Sequence, residues 1–307
     1  MPLYSPALLL FALTLLIPTV SFAQETADVY ILSGQSNMAG SGRKGELPEA
    51  WQKPVENVQY WNGKEFVPFD PMQLNLNGKD RFGPEVGFIH TLVALDPKRT
   101  FYVVKFALSG QPLHAGFHGA KWMGPEPGPN RNTFYPGTSA EDPNIGNHYK
   151  RLHAQFTAAL SALKEAGKQP RLRGVAWMQG EADAKQELSA KTYDESISLL
   201  KRRIEEDCGS DPVPLVMGQV LPHEPALPRF THRPEIRQSQ AVADMRSGSN
   251  RAIPGVWNVP TDGMPLLADT VHYSTQGQLM LGTSFALAAI EAENMLNMLA
   301  ELEKSAP

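Results

Sequence analysis

The chain has 307 residues, of which 28 are Lys or Arg and 32 are Asp or Glu, for a formal net charge of -4. Its 42% hydrophobic content is enough to bury a core, which excludes a disordered tail and a collagen-like repeat. The slight acidic excess offers no footprint for phosphates, so nucleic acid is excluded as the leading partner, and the length suits one large α/β domain or two small ones.

Taken in chain order, Leu8 to Ile17 is an apolar run too short to span a bilayer, and Ser21-Phe22-Ala23 places small residues at −3 and −1 of a cleavage site before Gln24. This predicts a signal peptide over 1–23 and a single secreted or periplasmic domain over 24–307. No Lys or Arg precedes the apolar run, so an uncleaved anchor is the alternative. No later stretch approaches the ~20 apolar residues of a membrane span, so stable membrane insertion is not expected. The lone Cys208 has no partner within the chain and follows a charged helical segment without an activating His, which marks it as a bystander rather than a nucleophile.

Strand-like runs occupy Val29 to Ser33, Thr100 to Ala107, Leu172 to Met178, Leu215 to Val220 and Gly255 to Val259. Helical periodicity covers Tyr149 to Ala166, stopped by Gly167, then Tyr193 to Asp207, Glu235 to Ser247 behind Pro234, and Thr275 to about Leu302. Strands separated by helices imply right-handed crossovers and a parallel sheet covered on both faces, an α/β fold in three layers with about five strands. Two stretches rich in Gly, Pro and Asn, Ser41 to Arg81 and Gln111 to Asn147, follow strand ends, where open parallel sheets bind ligands. They are expected to wall a cleft. Their aromatics, Trp61, Trp122 and Phe117 among them, are candidates to stack on sugar rings, with packing onto the domain as the plain alternative.

Chemistry is concentrated at strand ends. Ile31-Leu32-Ser33-Gly34-Gln35-Ser36-Asn37-Met38 runs from a strand through Gly into a helix start, and exposes Ser36 at the carboxyl edge, either as a nucleophile or only as a cap. Met38 stands where a nucleophile elbow of the α/β-hydrolase type requires Gly. A Ser hydroxyl needs a base, and the base needs a carboxylate on its other nitrogen; Asp269-Thr270-Val271-His272 can supply both on one turn, with an ordinary surface His as the alternative. Gly110, after the second strand, and the Gln179 amide, after the third, are candidate oxyanion donors, with a plain turn and a strand-end cap as the alternatives. His114 and His118 lie four apart, but Gly116 and Gly119 argue against a helix and no third ligand accompanies them, so no metal is expected.

Gly34-Gln35-Ser36-Asn37-Met38-Ala39-Gly40, Trp177-x-Gln179-Gly180-Glu181-x-Asp183 and Asp269-x-x-His272-Tyr273 resemble the signature blocks of the SGNH hydrolase superfamily. The resemblance is to its carbohydrate acetylesterase branch, which holds family 6 acetyl xylan esterases and sialate O-acetylesterases, and it covers Ala27 to Ala300. It implies a flavodoxin-like α/β/α sandwich, Ser36 as nucleophile, His272 as base, Asp269 as its orienting acid, and an oxyanion hole from the Ser36 amide, Gly110 and Gln179, with no cofactor. Where many members carry Gly-x-Asn-Asp, this chain has Gln179-Gly-Glu181, which leaves Glu181 and Asp183 without a role. The implied substrate is an acetylated oligo- or polysaccharide, with sialate or pectin deacetylation as alternatives and an inactive sugar-binding module as the non-enzyme reading. The oligomeric state is not set by the sequence.

Overall fold

The computed structural model describes residues 24–224 and 227–305. The expected signal peptide lies outside the described residues. Seven strands form the central sheet: β1 (Thr26–Gly34), β2 (Val55–Trp61), β3 (Phe66–Phe69), β4 (Phe101–Ala107), β5 (Gln169–Met178), β6 (Leu215–Gly218) and β7 (Val256–Val259). Their spatial order is β7-β6-β5-β1-β4-β2-β3, with every neighbouring pair parallel except β2 and β3. β1 lies inside the sheet and is buried from Ala27 to Gly34, which is why it reads as a continuous apolar run without alternation.

Helices cover both faces. The single-turn α1 (Ser36–Ala39) follows β1; α2 (Glu85–Leu95) and α7 (Thr275–Ser305) pack together on one side; α3 (Asn147–Glu165), the short α4 (Glu187–Lys191), α5 (Tyr193–Cys208) and α6 (Arg233–Ala243) lie on the other. The expected α/β sandwich is therefore present, with two more strands than the sequence suggested. β2 and β3 come from the Ser41–Arg81 stretch, where Gly, Pro and Asn on either side hide the last two strands at one side of the sheet. α2 escapes a search for a helical stripe because its segment, EVGFIHTLVAL, is apolar nearly all round, the pattern of a helix buried on several sides. The third expected helix ends at Ala243, ahead of Ser247, with Pro234 in its first turn.

Cys208 ends α5, partly buried; burial, then the neighbouring charges of Asp207 and Glu205, push its thiol up to about 12, so it is not a thiolate near neutral pH. No helix among the described residues is long and apolar enough to cross a membrane.

Candidate active site

The carboxyl edge of the sheet carries the site. β1 ends at Gly34, where a Cβ would lie 2.1 Å from the Met178 carbonyl oxygen, so only glycine lets β1 and β5 finish side by side. Gln35 then donates its N–H to Met178 O at 2.8 Å, and the chain turns into the single-turn helix α1 (Ser36–Ala39). Gln35 and Asn37 are buried while Ser36 between them is half-buried, so this turn offers one side chain to the outside. Below it, Lys105 on β4 donates to Ala39 O at 2.9 Å and to Glu85 at 2.6 Å; burial pulls the Lys105 ammonium down and Glu85 opposes that.

The loop that carries Asp269 and His272 is fixed by its own backbone. Asp269 accepts the N–H groups of Val271 and His272, both at 2.9 Å on Oδ1, while its Oδ2 lies 2.7 Å from His272 Nδ1. Thr270 between them has φ +59, a left-handed conformation that brings residues three apart onto one side of the turn. Leu267 N–H bonds His272 O at 2.7 Å and Leu266 bridges Tyr273, closing the loop as a small ring. Partial burial opposes ionisation of Asp269, but its backbone and imidazole hydrogen bonds outweigh it and hold the carboxyl below the usual range.

Ser36 and His272 face one cleft of about 310 Å³, whose lining also includes Gly110, Glu181, Lys185, Arg229 and Phe230. Among the described residues the Ser36 hydroxyl and His272 Nε2 make no hydrogen bond, and the Ser36 and Gly110 amides have no protein acceptor. Gly110 sits at φ +70 with open space beside it, so glycine is needed there for the backbone conformation rather than for clearance.

Other expected residues stand elsewhere. Gln179 is fully buried and absent from the cleft wall: its Nε2 donates to Asp183 Oδ2 at 2.5 Å and Gln111 O at 3.1 Å, and its Oε1 accepts from Tyr193 at 2.9 Å. With its amide protons committed inside the protein, it supports the strand end instead of facing the cleft. Trp61 is 4% exposed in β2, donates to Gln155 at 3.1 Å and packs on Phe66. Phe117 is buried against Trp122, edge to face at 5.0 Å, in the ribbon made by Phe117–His118 and Lys121–Trp122. Neither insertion contributes to the cleft lining, because these rings meet their need for apolar contact by packing the insertions down. His114 Nδ1 accepts Gly116 N–H at 2.8 Å, which gives that ring a role in the turn.

The sequence reading missed Lys185, Arg229 and Phe230. The last two lie on the loop after β6, at the same sheet edge, where the strand-end rule applied to β1, β4 and β5 also points. Asp183, without a role before, is a buried junction that accepts the amides of Leu113 and His114, each at 2.9 Å, and the Ser189 hydroxyl at 2.7 Å. It fastens the Gln111–Asn147 insertion beside the site.

Solved structures share this fold. A protein from Arabidopsis thaliana superposes with TM-score 0.62 at 18% identity, over 86% of this chain and 98% of its own. NanS does so with TM-score 0.56 at 14% identity, over 91% and 99%. A carbohydrate acetylesterase from Xanthomonas citri gives TM-score 0.57 at 16% identity, over 87% of this chain and 57% of that one. No curated protein matches the chain. The family described as carbohydrate esterase, sialic acid-specific acetylesterase matches residues 26–291. The chain belongs to that family and is a carboxylic-ester hydrolase acting as a carbohydrate acetylesterase.

Proposed function

We propose that the protein removes acetyl groups from sugar hydroxyls by Ser-His-Asp acyl transfer. The observation that carries this is the Asp269–His272 pair at 2.7 Å, opening onto the same cleft as Ser36. Ser36 Oγ attacks the acetyl carbonyl carbon while His272 Nε2 takes its proton; Asp269 holds Nδ1–H and stabilises the imidazolium. The Ser36 and Gly110 amides are the donors for the oxyanion, with Gln179 bracing the strand end behind them. On collapse the bond from the acyl carbon to the sugar oxygen breaks and His272 returns the proton to that oxygen. Water then repeats the sequence on the acyl-enzyme and releases acetate.

The charge of the cleft favours an acidic sugar over a neutral one. Lys185 Nζ and Arg229 Cζ lie 5.9 and 5.0 Å from the Phe230 ring centroid, so two cations and an apolar face form one wall. A sugar carboxylate would pair with that wall while the ring lies on Phe230, which supports sialate O-acetyl esters as substrates. Export by the N-terminal segment, with cleavage near Ala23, completes the proposal; a mature protein beginning at Gln24 in N-terminal sequencing is the expected result.

Ser36→Ala tests the mechanism. It should lower kcat for p-nitrophenyl acetate and for an O-acetylated sialic acid by roughly 10³-fold or more, with the fold intact by circular dichroism. Near-normal turnover by this variant would refute the assignment of Ser36.

A further inference from the structure

Glu181 lines the cleft with Ser36 and His272 although the residue is only 2% exposed. Its Oε1 accepts from Asn37 Nδ2 at 2.8 Å. Its Oε2 is enclosed and has no hydrogen-bond partner among the described residues. A buried carboxyl oxygen without a partner costs stability unless something else satisfies it, and the cleft is what this residue borders. Building on the acetylesterase reading, we infer that Glu181 is a specificity-determining residue, whose Oε2 hydrogen-bonds a free hydroxyl next to the ester on the sugar.

The chemistry of the group selects the ligand. Burial pushes the Glu181 carboxyl up, against hydrogen bonds from its own backbone N–H and from Asn37 and the charge of His272, while Asp183 adds to the rise. In either protonation state Oε2 can accept a hydrogen bond, so its natural partner is a donor that brings no charge of its own. An acetyl carbonyl only accepts, and it is held by the amides of Ser36 and Gly110. A carboxylate on the sugar has Lys185 and Arg229. A hydroxyl on the carbon beside the ester is the remaining polar group that can reach a residue flanking the nucleophile, and it pairs with Glu181 without burying a new charge.

The test compares two acetyl esters of one sugar, one with the adjacent hydroxyl free and one with it replaced by hydrogen. Wild-type kcat/KM should favour the free-hydroxyl ester by at least about tenfold, since a site built to bond a hydroxyl leaves its own buried group unpaired when the hydroxyl is missing. In Glu181→Met, which fills similar space without a polar tip, the ratio should fall to about one, and Glu181→Ala should show the same collapse if the Met variant folds poorly. A wild-type ratio near one, or a ratio unchanged in a folded variant, would overturn the inference. Failure of the acetylesterase reading would look different, since it would appear as Ser36→Ala retaining activity on both esters.

Discussion

Asn37, next to Ser36, donates its side-chain N–H to the carbonyl oxygen of Val271, next to His272, at 3.0 Å across 234 residues of sequence. The same Nδ2 reaches Glu181 at 2.8 Å, and Asn37 Oδ1 accepts Tyr273 N–H at 3.2 Å. One amide therefore joins the ends of β1 and β5 to the loop that carries His272. Because Ser36 and His272 are not bonded to each other, this clamp sets their relative position.

Asn37→Ala should release the loop. With three hydrogen bonds gone from a buried site, unfolding free energy should fall by about 1–3 kcal/mol, and kcat should drop by roughly 10²-fold from misplacement of the base. Denaturant unfolding together with steady-state kinetics checks both. Unaltered kcat in a destabilised variant would mean that the loop holds its own position.

Asp269→Asn should lower kcat by roughly 10²–10⁴-fold, because an amide at that position can present N–H to Nδ1 and favours the wrong tautomer. The carboxyl lies below its usual range in the folded state, so the stability it contributes is present above the unfolded pKa and is lost as pH falls through the folded one. Its side chain is 45% exposed, so that contribution is small after solvent screening and the readout is kcat.

His148, at the start of α3, predicts acid sensitivity. Burial, then the charges of Arg151 and His118, lower its pKa to about 4, and its Nδ1 has no partner among the described residues. The unfolded chain takes up the proton near pH 6.5 while the folded one does not until about pH 4, so stability falls as pH drops through that window, by up to on the order of 3 kcal/mol. His148→Gln should flatten the stability profile between those limits, and urea titrations at pH 7, 6 and 5 measure it.

Trp61→Ala should act on stability, with a loss of about 3–5 kcal/mol typical of a buried indole, and it should not discriminate between substrates. Lys185→Ala and Arg229→Ala should instead raise KM for an acidic acetylated sugar by about tenfold each and leave that for a neutral acetylated sugar within about twofold. Equal effects on the two sugars would remove the carboxylate from the wall at Lys185 and Arg229.

Local chemistry made part of this protein legible in its sequence. Apolar runs between helical stripes announced a parallel α/β sheet, because strands buried on both faces need unbroken hydrophobic character. Asp269 and His272 were readable as a pair because their bond spans three residues and depends on one turn. The identity of the cleft lining was decided by tertiary structure. Gln179 and Glu181 are two residues apart at one strand end, yet the first is claimed by Tyr193 and Asp183 in the interior while the second borders the cleft. Trp61, Trp122 and Phe117 have the composition of a sugar platform, but an aromatic ring gains as much from packing an insertion as from stacking on a ligand, and only the three-dimensional path of the chain selects between them. The same path brings Arg229 and Phe230, from the loop after β6, to the cleft that Ser36 borders, a meeting of distant segments that no local spacing encodes.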